Sequence, residues 1–146
     1  MTKVILLVGT YDTKQDELDF LAGVITQAGG RVLKMDVSVL GDTEVAVDLS
    51  KHDVAAAAGM DIPSIIAYED ENPAMQAMAR GAAKLASEAH LADRFDGVLA
   101  LGGSMGTDLA LDLCTALPIG VPKYVISTVA FSPMIPPARL PADIQM

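Results

Sequence analysis

The chain has 146 residues, the size of one ordinary domain, and 51% of them are hydrophobic although only 4% are aromatic. This composition is typical of an α/β core built from alanine, leucine, valine and methionine, and a charged fraction of 20% argues against disorder. The formal net charge of −9 repels nucleic acid and anionic membranes, and no run of lysine and arginine offsets it. We therefore expect neither a nucleic acid nor a membrane as a partner.

The single cysteine, Cys114, excludes an internal disulfide and favours a reducing compartment. The apolar run at residues 4–8 is short and no small-residue cleavage site follows it, so we do not interpret it as a signal peptide. No apolar run approaches the ~20 residues that cross a bilayer. We expect a cytoplasmic protein.

The first predicted element is a strand over residues 3–9, whose nearly continuous apolar character is typical of a strand buried on both faces of a parallel sheet. A polar loop, 10–13, leads into a helix that begins at Lys14 and is capped by Asp12 or Thr13. Gly29-Gly30 ends this helix. Its predicted inward stripe consists of Leu18, Leu21, Val24, Ile25 and Ala28.

The next elements are a strand over 31–41 and a short helix over 48–59 with Ser50 as its cap. Residues 62–70 fit either a short strand or an irregular segment. Asn72 then caps a long helix that runs to about Ala92.

Gly81 interrupts that long helix at a cost of about 1 kcal/mol relative to alanine. Such a glycine indicates that another backbone or a ligand packs closely there.

The remaining pattern predicts a strand over 96–103, a helix over 104–116 and a strand over 122–129. Residues 1–130 are therefore interpreted as a Rossmann-like half-domain. Residues 131–146 form a proline-rich tail or the start of a crossing to a second half, and neither a helix nor a strand is expected there.

Alternating strands and helices predict right-handed crossovers and an α/β, three-layer Rossmann-like fold with a parallel sheet of about four to five strands. Ligands bind at the carboxyl ends of the strands in such sheets. The loops after Val8, Met35, Leu101 and Thr128 should therefore lie on one edge.

The loop GGSMGT, residues 102–107, joins a strand to a helix with three glycines and two hydroxyls. Such a loop presents unpaired N–H groups and the positive end of the helix dipole, so it can hold a phosphate; a tight packing turn explains it equally well. Asp108 opposes a phosphate unless its side chain points away or a divalent cation intervenes. Compensating charge is expected from Lys14, Arg80, Lys123 or Mg²⁺.

The loop GTYDTK, residues 9–14, also joins a strand to a helix. Thr10, Thr13 and Lys14 offer hydrogen-bond donors, and Asp12 can hold a metal-bound water or a ribose hydroxyl. Helix capping and a solvated lysine are the alternative interpretation. Both loops should face the same crevice, which favours a binding site.

Other candidate residues are less specific. Asp36 can bind ribose hydroxyls or simply end its strand, and Ser127-Thr128 closes the fourth strand at the same edge. His52 and His90 lack companions at ligand spacing, so no protein metal site is predicted. No nucleophile or general base stands out, and whether the chain is an enzyme stays open.

The segments GTYDTKQDELDFL, VSVLGD, DLSKHDVAAAAG, FDGVLALGGSMGTDLA and PADIQM, in this order, resemble one family. It is the amino-terminal ATP-binding domain shared by the plant tobamovirus-resistance inhibitor protein and many bacterial proteins of unassigned activity. The paired GTxDTK and GGSxGT loops carry the resemblance, which covers nearly the whole chain.

The resemblance implies a two-part domain that binds ATP, with Mg²⁺, and dimerises, of which this chain represents one part. Its implied nucleotide-binding residues are Gly9, Thr10, Asp12, Thr13, Lys14, Gly102, Gly103, Ser104, Gly106 and Thr107, with Arg80 and Thr128 in less certain roles. Three functions stay open: a nucleotide-binding domain of a larger enzyme, a regulatory module that acts through dimerisation, and a structural half that binds nothing without its partner.

Overall fold

The strands form a single parallel sheet in a computed structural model that describes residues 1–146. The strands are β1 (Val4–Gly9), β2 (Arg31–Asp36), β3 (Gly97–Gly102), β4 (Lys123–Ser127) and β5 (Ile144–Gln145). Their order across the sheet is β2-β1-β3-β4-β5, and every neighbouring pair is parallel. The expected Rossmann-like parallel sheet is confirmed.

Helices cover the two faces of the sheet unequally. They are α1 (Tyr11–Gln27), α2 (Lys51–Ala57), α3 (Ile62–Ile66), α4 (Glu71–Leu91) and α5 (Ser104–Ala116). On one face α2, α4 and α5 enclose a core of 29 buried residues with the sheet. On the other face α1 packs over β1 and β2 and buries a small cluster, Leu7, Tyr11 and Leu18. None of the helices combines the length and apolar character needed to cross a membrane.

The start of α1 differs from the prediction. The helix begins at Tyr11 rather than Lys14, and its N-cap, Thr10, makes no side-chain capping bond. Lys14 has non-helical dihedrals (φ −125°, ψ 22°), so a first turn is set apart from the helix by a kink. The predicted inward stripe is also too wide, because Val24 is 47% exposed.

The ambiguous segment 62–70 contains α3, whose cap Asp61 accepts a hydrogen bond from the Ser64 N–H at 2.8 Å. The N-cap of α4 is Asp70 and not Asn72. By contrast, the predicted cap of α2 is confirmed, because the Ser50 hydroxyl accepts from the Asp53 N–H at 3.2 Å. Short polar side chains next to a helix start compete as caps, and tertiary packing selects one of them.

Gly81 lies where α4 crosses α2. A Cβ at this position would stand 1.9 Å from the carbonyl oxygen of Val54. The close approach predicted from the sequence is therefore made by another backbone.

The expectation that no strand follows β4 is wrong. Residues 137–139 form a 3₁₀ turn, and β5 then pairs with β4 through Lys123 and Ile144. Buried Lys123 explains this return, because its ammonium binds the Asp143 carboxylate at 2.5 Å and the carbonyl oxygen of Leu117 at 3.0 Å. An unpaired buried ammonium is costly, so the pair holds the tail against the sheet.

Candidate functional site

A cavity of about 660 Å³ opens at the carboxyl ends of β1 and β3. Its volume falls in the range of small-molecule sites. It brings both glycine-containing loops together. The predicted site residues that line it are Thr10, Asp12, Thr13, Lys14, Gly102, Gly103, Ser104 and Gly106.

The β3–α5 loop contributes the start of α5 to this cavity. A Cβ on Gly102 would stand 2.4 Å from the carbonyl carbon of Gly106, so only glycine allows this tight turn. The first helical hydrogen bond runs from the Thr107 N–H to the Gly103 oxygen at 2.8 Å, and no side chain caps the helix. The N–H groups of Ser104, Met105 and Gly106 precede that bond and have no acceptor within the helix, so they are available to an anion.

The β1–α1 loop contributes hydroxyls and a cation. The Thr10 and Thr13 Oγ1 atoms are 2.8 Å apart and share one hydrogen bond. Lys14 follows at the kink of α1, lines the cavity and makes no ion pair. Its ammonium is the only one among the lining residues.

Asp12 is held in place through both its backbone and its side chain. Its N–H donates to the Ser38 hydroxyl at 3.1 Å, and its Oδ2 accepts from the Gly41 N–H at 3.1 Å. Its Oδ1 is buried and has no protein partner. Unpaired buried acceptors are uncommon in proteins, and an ordered water or an ion is their usual partner.

Sequence reasoning missed the opposite wall of the cavity. Its apolar side consists of Val39, Leu40, Ile65, Ile66, Ala74 and Met75. Its acidic side consists of Glu69, Asp70 and Glu71, of which Asp70 accepts from the Asn72 N–H at 3.0 Å. Met75, which is spaced as a core residue of α4, was the only sequence feature that pointed to this wall.

Lys51 anchors the part of that wall between β2 and α2. Its buried ammonium contacts Asp42 at 2.6 Å and donates to the oxygens of Gly41 at 2.9 Å and Val39 at 3.4 Å. The hydrogen bond lowers the pKa of Asp42. Lys51 thus fixes both the apolar wall and the Gly41 N–H that holds Asp12.

The structure does not bring every predicted residue to the cavity wall. The residues outside the lining are Gly9, Asp36, Arg80, Thr107 and Thr128. The exposed Arg80 lies along α4. Thr107 and Thr128 support the β3–α5 loop from outside the cavity. Thr107 Oγ1 shares a hydrogen bond with Ser127 Oγ at 2.6 Å, and the Thr128 N–H donates to the Gly102 oxygen at 3.2 Å.

Asp36 serves the fold at the end of β2. It is 3% exposed, and its Oδ1 accepts from the N–H groups of Tyr11 at 3.2 Å and Ser38 at 2.9 Å. The carboxylate therefore ties the β1–α1 loop to the segment after β2. The strand-end interpretation accounts for these contacts.

Two charged side chains that the sequence analysis weighed for the site are paired within the protein. Asp108 Oδ1 accepts from the Arg139 guanidinium at 2.6 Å, so the side chain that opposed a phosphate is already paired. Lys123, one of the expected compensating charges, is buried at the opposite end of its strand and pairs with Asp143. Lys14 is left as the cation of the cavity.

Comparison with known proteins identifies the family. The uncharacterised protein family UPF0261 N-terminal domain matches residues 3–146. The chain belongs to this family. A UPF0261 protein of Brucella suis is 50% identical over 97% of this chain and 34% of its own length, and one of Rhizobium meliloti is 36% identical over 88% and 31%.

The relatives extend beyond the bacteria. The tomato ToMV susceptible protein tm-1(GCR26) is 31% identical over 86% of this chain and 19% of its own length. These matches confirm the resemblance seen in the loops. The chain spans about a third of the length of the bacterial relatives it matches.

Proposed function

We propose that this UPF0261 domain binds ATP in the cavity between the β1–α1 and β3–α5 loops. The observation that carries the proposal is the meeting of both loops in one cavity with an uncapped helix N-terminus at its edge. Helix starts without a cap attract anions through their free N–H groups and the helix dipole.

The phosphates of ATP lie at the start of α5 in this proposal. The N–H groups from Ser104 to Gly106 donate to phosphate oxygens, and the Ser104 hydroxyl adds a further donor. Lys14 contributes the positive charge from the other loop. The Thr10 and Thr13 hydroxyls, 2.8 Å apart, offer donors on the same side.

The adenine base lies against the apolar wall. Ile66, 42% exposed, and Met75 form a surface on which a flat ring can pack, with the buried Ile65 beneath them, and Leu40, 79% exposed, is available to cover the ring. A ligand with a charged end and an apolar end matches this division of the cavity.

Magnesium enters with the nucleotide in this proposal. The chain has no cluster of three histidine, cysteine or acidic side chains that could hold a metal ion by itself. The carboxylates of Glu69, Asp70 and Glu71 face the same cavity and repel a bare triphosphate, so the less negative Mg²⁺ complex fits better.

The proposal assigns binding, and no reaction, to the cavity. Its 18 lining residues include one lysine, one serine and four carboxylates, and the proposal gives these groups no catalytic role. We infer a nucleotide-binding module of a longer protein. A regulatory module that acts through dimerisation is the alternative.

Calorimetric titration with ATP and Mg²⁺ tests the proposal. Lys14→Ala and Gly103→Val should each weaken binding at least tenfold while the far-ultraviolet spectrum stays unchanged. Gly103 suits this test, because a Cβ there meets only Thr128 Oγ1, at 3.8 Å, and its φ of −78° is open to valine. Binding that is unchanged in both variants would overturn the site.

Matched controls separate the site from general effects. Lys84→Ala removes a lysine on α4 that is 60% exposed and absent from the cavity, and Gly23→Val adds the same side chain to an open position of α1. Both should bind ATP as the original chain does. At a ligand concentration of ~100 Kd, ATP should stabilise the chain by about 2.7 kcal/mol in a melting assay.

A further inference from the structure

β3 and β4 present an apolar surface on the face of the sheet that α1 covers only in part. The register pairs Leu99 with Tyr124 and Leu101 with Ile126, so these four side chains point to the same face. We name them the β3–β4 strip. All are half-buried or more open, and Tyr124 is 46% exposed.

This exposure is unusual for the middle of a parallel sheet. Parallel sheets are covered on both faces in nearly all known folds, and β3 is the central strand here. On the opposite face Val98, Ala100 and Val125 are at most 4% exposed. The strip carries no charged side chain, so its sequence suits a covered surface.

Helix α1 forms a wall along one side of the strip. The Thr43 hydroxyl donates to Gln15 at 3.1 Å, which places this flank of α1 against the segment after β2. Val24 comes nine residues after Gln15, which places it on the opposite side of the helix axis. It therefore lies on the flank of α1 that faces β3.

The slot beside α1 has the width of one helix. Neighbouring strands are about 4.8 Å apart and packed helices 8–10 Å apart, so the next helix position lies over β3 and β4. A second copy cannot lay its sheet flat there, because α1, a helix about 10–12 Å across, stands above the strands. The net charge of −9 also opposes self-association.

We propose that the β3–β4 strip docks an amphipathic helix from the region that follows this domain in the longer UPF0261 relatives. The matched domain is N-terminal in the family and covers 34% of the Brucella suis relative. β5 pairs with β4 through Gln145 and Tyr124, so the polypeptide after β5 begins beside the strip in such a relative.

Thiol labelling tests this docking. Tyr124→Cys is placed in the 146-residue chain and in a fusion of this chain to the region that follows the matched domain of the Brucella suis relative. The native Cys114 does not interfere, because it is fully buried and burial raises its pKa to about 11. The cysteine at position 124 should react at least tenfold more slowly in the fusion.

Ile119→Cys is the matched control, since Ile119 is 89% exposed and lies in the loop before β4, outside the strip. Its labelling rate should be equal in both proteins. Equal rates at position 124 in a folded fusion would overturn the proposal. Slower labelling of the 146-residue chain as its concentration rises, with dimers in sedimentation, would also overturn it, because the occupant would then be a second copy. If the fusion fails to fold, a cysteine at the aligned position of the full-length Brucella suis relative decides, with its matched domain alone as the reference.

Discussion

Replacing Gly81 by alanine sets two known effects against each other. Alanine favours a helix by about 1 kcal/mol over glycine, so a substitution in open space would stabilise α4. At this position, however, the new Cβ would stand 1.9 Å from the Val54 oxygen, whereas an ordinary contact needs at least 3.4 Å. The two helices must therefore separate by about 1.5 Å, or Val54 must lose the hydrogen bond it accepts from the Ala58 N–H at 3.3 Å.

Overpacking of this kind costs 1–3 kcal/mol and occasionally more, and a backbone oxygen cannot turn aside as a side chain can. Because the 1.9 Å contact is with backbone, we place Gly81→Ala in the upper part of that range, at about 2–3 kcal/mol, so after a helix gain of about 1 kcal/mol is subtracted it should lower the free energy of unfolding by about 1–2 kcal/mol. Gly23→Ala in α1 meets nothing within 4 Å and should raise it by up to about 1 kcal/mol. Urea unfolding measures both, and a Gly81→Ala chain as stable as the original would refute the packing argument.

Two buried lysines give the remaining predictions. Lys51→Met should leave the Val39 and Gly41 oxygens without their donor, which lowers the free energy of unfolding measured in urea by about 1–3 kcal/mol. It should also weaken ATP binding, and an unchanged ATP affinity would show that the cavity wall does not depend on Lys51. The hydrogen bond from Lys123 holds the pKa of Asp143 below its usual 3.8. The stability that the ionised Asp143 contributes is therefore complete above pH 3.8 and is lost as the pH falls through the lowered pKa. The stability difference between the original chain and Asp143→Asn should thus shrink on acidification in unfolding titrations, and a difference independent of pH would contradict this linkage.

The parts of the fold that local pattern determines were predictable. The predicted helix 104–116 coincides with α5, and the predicted strand 96–103 differs from β3 by one residue at each end. A buried parallel strand is a continuous apolar run, and three glycines mark its turn into the helix. The meeting of the two loops followed from the rule that parallel strands end at one edge.

The parts that distant contacts determine were not predictable. β5 has two residues, and it is held by Asp143, which binds a lysine 20 positions earlier. The apolar wall of the cavity depends on α3 and on Lys51, whose contacts lie 10 and 12 positions away along a segment without regular structure. No periodicity in the sequence encodes such pairs.

The proline-rich tail also changes the electrostatics of the proposed phosphate site. Asp108 is in the first turns of α5, where an unpaired carboxylate would repel a phosphate at the helix start. Arg139 reaches it from 31 residues away and also donates to Asp112 at 2.8 Å. One guanidinium is therefore shared by the two carboxylates of α5 and neutralises one of their two charges. Burial lowers the pKa of Arg139, but the hydrogen bonds to Asp108 and Asp112 outweigh it and the pKa is raised. In a chain with a net charge of −9, the segment that returns to form β5 thus removes part of the negative charge that would otherwise oppose the proposed phosphate site.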